Sequence, residues 1–169
     1  GVPAAGVACV GWGGGRGGVG GRSAGGNPES ACGRGADAVV TAAQVARASR
    51  SLVKRISSVG RIAQQYIVLA DPELIADYAR VRKSFKVVSG ELSMLPLDSE
   101  QLAALNRTIE QEQALRDLLV AAGPGKLDAK LVGKHAGDLA KSGYEVLAIS
   151  YVIADREVER LRTAAESVR

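Results

Sequence analysis

The chain has 169 residues, of which 46% are hydrophobic and only 4% aromatic, and its 22 Lys and Arg residues are interspersed with 18 Asp and Glu residues. Because these charges form no basic stripe with interleaved aromatic residues, nucleic acid is not an expected partner. Both cysteines, Cys9 and Cys32, precede residue 36 and His135 is the single histidine, so the rest of the chain has no residues for a disulfide framework or a zinc site.

Residues 1–35 differ sharply in composition from residues 36–169. They hold 14 of the 21 glycines and a single acidic residue, Glu29. A segment so rich in glycine buries too little apolar surface to offset its backbone entropy, so we predict that it is a disordered tail or the product of a mistranslated stretch of GC-rich DNA. Its match to G-x-G-x-x-G at residues 13–18 has no strand before it and no helix after it, and we interpret it as chance.

The first predicted helix runs from about residue 37 to residue 70. Its core positions alternate in steps of four and three, which keeps their side chains on one face of a helix. These positions are Val45, Ser49, Leu52, Ile56, Val59, Ala63 and Tyr66. Asp71 and Pro72 then predict a hairpin, because Asp is a good N-cap and Pro suits the first helical position.

Two shorter helices are predicted next, at about residues 72–94 and 99–121. The second helix repeats the four-three spacing and ends before Pro96, because a residue that precedes proline avoids helical backbone. Its positions are Leu74, Tyr78, Val81, Phe85, Val88, Leu92 and Leu95. Asp98 or Ser99 is the expected N-cap of the third helix, whose apolar stripe is less regular. That stripe consists of Leu102, Leu105, Ile109, Leu115 and Leu119.

The fourth predicted helix is long, from about residue 126 to residue 168. Its predicted stripe keeps the four-three spacing through Gly133, Gly137, Ala140, Tyr144, Leu147, Tyr151, Ala154, Val158, Leu161, Ala165 and Val168. The expected fold is therefore all-α, an antiparallel up-down-up-down four-helix bundle with long first and fourth helices. Because the two long helices extend beyond the short ones at the same end, we expect both ends of the chain to leave the bundle together.

Two segments resemble a known family. Residues 61–74 with Tyr78 resemble the Q-Y-x-V-L-x-D-P-x-L-x-x-x-Y junction in the periplasmic four-helix-bundle sensor region of bacterial two-component histidine kinases. Residues 154–166 are similar to the charged helix that precedes the second membrane span in that family. The resemblance covers about residues 37–169. It implies an extracytoplasmic, membrane-anchored domain that forms homodimers, with the membrane spans and the kinase core in a longer parent protein.

The sequence contains candidate binding and signalling residues but no recognisable catalytic motif. No nucleophile–base pair, metal-ligand cluster or cofactor motif is present, so we predict that the chain is not an enzyme and uses no cofactor. A small ligand or a periplasmic protein is the implied stimulus. Aromatic side chains on the predicted stripes give a candidate pocket of Tyr66, Tyr78, Tyr144 and Tyr151 with Gln65. Under the resemblance, the signal-output positions are Ala154, Val158, Leu161 and Ala165.

Three further interpretations complete the sequence picture. The hairpin at Asp71 and Pro72 is expected at the membrane-distal end of the bundle, as a structural cap or a docking tip. Gly133 and Gly137 predict a close approach of the fourth helix to a neighbour inside the bundle.

The alternative functions are the ligand-binding bundle of a chemotaxis receptor and a purely structural or adaptor bundle. Sequence beyond Arg169 would separate these alternatives.

Overall fold

The structure is a computed structural model that describes residues 28–121 and 123–168. Within these residues it contains four α-helices, one short 3₁₀ turn and no strand. The elements are α1 (Pro28–Leu69), α2 (Pro72–Met94), α3 (Ser99–Ala121), the 3₁₀ turn Pro124–Lys126, and α4 (Ala129–Val168). The all-α fold class predicted from the heptad spacing is confirmed.

The helix lengths follow the prediction, with 42 and 40 residues in α1 and α4 against 23 in each of α2 and α3. The predicted start of α1 near residue 37 is wrong, because the helix already begins at Pro28. Proline at a first helical position followed by Glu29 is a favourable helix start, which the glycine content of this segment obscured. The predicted disordered tail, residues 1–35, is therefore wrong for residues 28–35, which are helical, and its first 27 residues lie outside the described residues.

The connection between α1 and α2 reverses the chain within two residues. Ala70 has a left-handed backbone with φ of 53°, and its N–H donates to the Tyr66 carbonyl at 2.9 Å. Asp71 caps α2 as predicted, since its carboxylate accepts from the Glu73 N–H at 3.0 Å. The left-handed backbone costs about 1–2 kcal/mol in a residue other than glycine, so the tight turn at Ala70 is a strained one.

Aspartate also caps the starts of α3 and α4. Asp98 and Gln101 cap α3 reciprocally: the Gln101 N–H donates to Asp98 Oδ1 at 2.8 Å, and the Asp98 N–H donates to Gln101 Oε1 at 3.1 Å. Asp128 accepts from the Lys130 N–H at 2.9 Å, so α4 begins at Ala129 rather than near residue 126. These caps satisfy backbone donors that the first turn of a helix leaves without partners.

The chain divides into two compact units. The first, which we call the four-helix unit, comprises residues 45–150. In the second, the helix-pair unit, the described residues are 28–44 of α1 and 151–168 of α4. Each unit is described separately below.

In the four-helix unit, α1 and α4 run antiparallel. Ser49 contacts Ser150, Ile56 lies against Gly143, and the Gln64 side chain lies near Gly133. Residue numbers therefore rise along α1 while they fall along α4. The connection between α1 and α2 has two residues and the one between α2 and α3 has four. Such short connections are consistent with the predicted antiparallel bundle.

The buried residues of the four-helix unit can be compared with the predicted stripes of α1, α2 and α4. Every predicted position of α1 between Val45 and Tyr66 is buried, and the α2 stripe is buried or half-buried throughout. On α4 the prediction is displaced by one residue. The buried positions there are Val132, Leu139, Ser142, Gly143, Val146 and Ser150. Both α4 stripes keep the four-three spacing, so the spacing alone did not distinguish them.

The helix-pair unit buries a smaller apolar surface. On α1, Val39 and Ala42 are buried. The backbone of Gly35 lies so close to Leu161 that a Cβ atom at Gly35 would stand 3.1 Å from Leu161 Cδ1. The first described turns of α1 therefore pack side by side with the last turns of α4.

Candidate functional site

The residues of the predicted tyrosine pocket differ in their burial. Tyr66 and Tyr78 are buried, but Tyr144 is 57% exposed and Tyr151 is 42% exposed, and Gln65 is exposed as well. The interpretation of Tyr144 and Tyr151 as core residues is wrong, because the buried face of α4 is displaced by one residue from the predicted stripe. Whether any of these residues binds a ligand stays a prediction.

Tyr78 belongs instead to a polar network buried between α2 and α3. Its hydroxyl donates to Glu112 Oε2 at 3.0 Å. Glu112 is only 1% exposed and lies at the centre of the network. An ionised carboxylate at this depth needs close partners to offset its lost hydration.

Arg82 supplies the opposite charge to Glu112. Its Nε donates to the two carboxylate oxygens at 3.0 and 2.8 Å, and its Nη2 donates to Gln113 Oε1 at 2.5 Å. Glu112 therefore accepts from both Arg82 and Tyr78, and this arrangement satisfies both of its oxygens. We call Tyr78, Arg82, Glu112 and Gln113 the carboxylate network.

The carboxylate network changes the acidity of its tyrosine. Burial is the largest cause that raises the pKa of Tyr78 far above its ordinary value of 10.0, and the charge and hydrogen bond of Glu112 raise it further. The positive charges of Arg82 and Arg116 act in the opposite direction but are smaller effects. The phenol therefore stays protonated as a hydrogen-bond donor to Glu112.

A signal for this network was present in the sequence. Apart from Ala104, the buried positions of α3 are six residues that follow the same four-three spacing as those of α1, and three of the six are polar. They are Gln101, Leu105, Thr108, Glu112, Leu115 and Leu119. A search for apolar residues misses half of this stripe and includes Leu102, which is 42% exposed. Continuing the heptad spacing through α3 regardless of polarity would have identified Glu112 as a core residue.

A second polar contact joins α1 to α4. Ser49 and Ser150 are both fully buried, and their hydroxyl oxygens lie 2.9 Å apart. Each hydroxyl also lies 2.7 Å from a carbonyl oxygen of its own helix, Val45 for Ser49 and Val146 for Ser150. We call these two residues the serine pair.

The close approach of α4 to α1 occurs at Gly143. A Cβ atom at Gly143 would overlap Ile56 Cδ1, so the absence of a side chain admits Ile56. The predicted close approach at Gly133 and Gly137 is not found: a Cβ at Gly133 would only touch Gln64 at an ordinary 3.7 Å, and Gly137 has open space beside it.

His135 lies on α4 near this segment. It is half-buried, and its Nδ1 atom is buried without a hydrogen-bond partner among the described residues.

The other predicted positions lie at the ends of the two units. Asp71 and Pro72 are exposed at the α1–α2 hairpin, next to Val68 and Leu69, which are 80% and 64% exposed. In the helix-pair unit, Ala154 and Leu161 are half-buried, while Val158 and Ala165 are exposed. The docking role of the hairpin and the output role of these α4 residues stay predictions.

The described residues were compared with the requirements of a metal site and of a membrane span. Across residues 28–121 and 123–168, no group of three or more His, Cys, Asp or Glu side chains is arranged to hold a metal ion. None of the helices in those ranges is both long and apolar enough to span a membrane. The carboxylate network joins α2 to α3, and the serine pair joins α1 to α4, through buried polar contacts.

Comparisons with known proteins give one structural neighbour. No protein-family model matches the sequence, and no curated protein matches it. A solved structure described as the periplasmic sensor domain of a sensor histidine kinase is similar, with 17% sequence identity and a TM-score of 0.49. The alignment covers 76% of this chain and 95% of the other.

Proposed function

We propose that this chain is the signal-input domain of a membrane-bound two-component sensor histidine kinase. The observation that carries the proposal is the packing of Gly35 against Leu161. It places the first described turns of α1 beside the last turns of α4. Two helices that enter one membrane from the same side need this side-by-side arrangement, and the family resembled by residues 61–78 has it.

The hairpin supports the proposal independently of the helix ends. Residues 61–74 resemble the junction between the first two helices of the sensor family, and this segment forms a hairpin capped by Asp71. In the proposed orientation the hairpin lies far from the membrane. The domain then lies outside the cytoplasm and forms a homodimer, as the resemblance implies.

In the proposed mechanism no residue of this chain performs chemistry. A small ligand or a periplasmic protein binds one arrangement of the four helices better than another and shifts the equilibrium between them. The change moves α4 relative to α1, and Ala154, Val158, Leu161 and Ala165 form the lever that transmits it. The kinase reaction belongs to the longer parent protein.

The direct test is the coding sequence on both sides of this chain. We expect one apolar segment of about 20 residues before α1 and another after Arg169, followed by a phosphoacceptor histidine and nucleotide-binding glycine motifs. A long methylated coiled coil in place of the kinase motifs would instead identify a chemotaxis receptor. Polar flanks on both sides would contradict membrane anchoring and favour a structural or adaptor bundle.

The functional test uses the full-length parent protein in membrane vesicles. Autophosphorylation is measured with and without a disulfide that joins α1 to α4 through cysteines at positions 35 and 161, with Cys9 and Cys32 replaced by serine. We expect the oxidised protein to be fixed in one activity state and to recover its response on reduction. A response that is identical in both redox states would contradict the proposed relay.

A further inference from the structure

The serine pair has three short contacts but only two protons. The two hydroxyl oxygens lie 2.9 Å apart, and either can be the donor. Each hydroxyl also lies 2.7 Å from its own helix carbonyl, Val45 or Val146. At any moment two of the three contacts can be hydrogen bonds, because each hydroxyl donates one proton.

All distributions of these two protons leave the buried hydroxyls satisfied. When Ser49 donates to Ser150, the Ser150 proton goes to the Val146 carbonyl, and the reverse distribution is equivalent. When both protons go to carbonyls of their own helices, the bond between α1 and α4 is lost but no donor is left without an acceptor. The two carbonyls also accept backbone bonds within their helices. The bond between the helices can therefore open without the cost of an unpaired buried group.

The carboxylate network has the opposite property. Separating α2 from α3 would remove both Arg82 and Tyr78 from Glu112, which is 1% exposed. Arg82 and Tyr78 are the hydrogen-bond partners of that carboxylate among the described residues, so separation would leave a buried carboxylate without a hydrogen bond, which is costly. The α2–α3 contact is therefore fixed by its polar groups, whereas the α1–α4 contact is not.

From this difference we infer that the α1–α4 contact of the four-helix unit exchanges between two arrangements, one with the serine pair bonded and one with it open. A displacement of about 1 Å is sufficient, because it takes the oxygens beyond hydrogen-bond distance, and helix shifts of about 1–2 Å are known in switching proteins. Meanwhile α2 and α3 stay aligned. This inference names the contact that moves in the proposed relay, and its regulatory meaning rests on the proposed function.

The test follows the δ1 methyl resonance of Ile56 by NMR in the full chain with labelled isoleucine methyl groups. Ile56 contacts Gly143 across the same pair of helices, and it lies seven residues, or about 10 Å along the helix, from Ser49. We expect Ser49→Ala and Ser150→Ala each to remove the bonded arrangement. Both variants should then move the Ile56 resonance in the same direction, and the double variant should move it no further.

Two controls make the result specific. Ser142 is also buried on α4, but its hydroxyl donates to the Leu139 carbonyl of its own helix at 3.0 Å, so Ser142→Ala should leave the Ile56 resonance in place. Ile109 on α3 is the control methyl and should not respond to either serine variant. The inference is overturned if the serine variants leave Ile56 unmoved, move it in opposite directions, or move it no more than Ser142→Ala does.

This measurement does not depend on the proposed function. It uses the chain alone, so a negative result would exclude the moving contact while leaving the membrane-sensor proposal intact. Polar flanking sequences, by contrast, would remove the sensor proposal and leave a positive NMR result unchanged.

Discussion

The α2–α3 contact and the α1–α4 contact of the four-helix unit each place polar groups in an otherwise apolar core, yet they hold their helices differently. Glu112 depends on Arg82 and Tyr78 on the facing helix, with contacts of 2.8–3.0 Å. The serine pair instead has acceptors on both helices. A buried charge fixes the alignment of two helices, whereas hydroxyl groups that can turn back to their own helix allow it to change.

Removing the buried carboxylate should give the largest effect. Glu112→Ala leaves the Tyr78 hydroxyl and the Arg82 guanidinium without their shared acceptor, and we expect unfolding free energy to fall by about 3–5 kcal/mol in urea titrations. Glu110→Ala is the matched control, because Glu110 lies on the exposed side of the same helix. Equal effects of the two variants would contradict the special role of Glu112.

Overpacking the α1–α4 contact should lower the unfolding free energy by a smaller amount. Gly143→Val adds a branched side chain where even one methyl group would overlap Ile56, and we expect a loss of about 3 kcal/mol. Gly137→Val carries the same change into open space and should cost much less. Combining Gly143→Val with Ile56→Ala should recover part of the loss, and failure to do so would argue against direct contact.

Tyr78→Phe tests the hydroxyl of the carboxylate network without changing its packing. Loss of a hydrogen bond to a charged group should cost about 2 kcal/mol, whereas Tyr144→Phe on the exposed face of α4 should cost almost nothing. If Tyr78→Phe is as harmless as Tyr144→Phe, the bond to Glu112 does not contribute to stability.

The raised pKa of Tyr78 predicts a pH dependence with a definite sign. The folded protein holds the phenol proton more tightly than the unfolded chain does, so this stabilisation is complete below the unfolded pKa of 10.0. It is lost as the pH rises above that value, by up to about 1.4 kcal/mol per pH unit. Urea titrations between pH 9 and 11 should show a shallower decline for Tyr78→Phe than for the wild type.

The serine pair should show the smallest effect. In Ser150→Ala the Ser49 proton turns to the Val45 carbonyl, so we expect a loss of less than about 1 kcal/mol. Ser142→Ala is the control for removing a buried hydroxyl from α4. If Ser150→Ala lowers the unfolding free energy as much as Glu112→Ala does, the serine pair also fixes its helices. The α1–α4 contact would then not differ from the α2–α3 contact in this respect.

Much of the fold followed from heptad spacing, and the reasons for the errors are physical. Every predicted position of the α1 stripe is buried because these residues are mostly apolar or small, although Ala46 and Ile62 are buried beside the stripe and were not predicted. On α4, Tyr144 and Tyr151 drew the prediction to a face that lies one residue from the buried one, since spacing cannot distinguish two faces that share a period. On α3, Glu112 was missed because a carboxylate is buried only when distant residues supply its partners.

The polar core positions of α3 also limit how the helices can align. Filling Gln101, Thr108 and Glu112 with leucine would give α3 an unbroken apolar stripe, and a protein with such a core is often as stable or more so. Apolar heptad stripes, however, fit a neighbouring helix almost equally well after a displacement of seven residues. With Glu112 present, that displacement would separate the carboxylate from Arg82. We therefore expect a leucine-filled variant to unfold at higher urea concentration while populating more than one alignment of α3, because the residues that interrupt the apolar pattern make a single alignment unique.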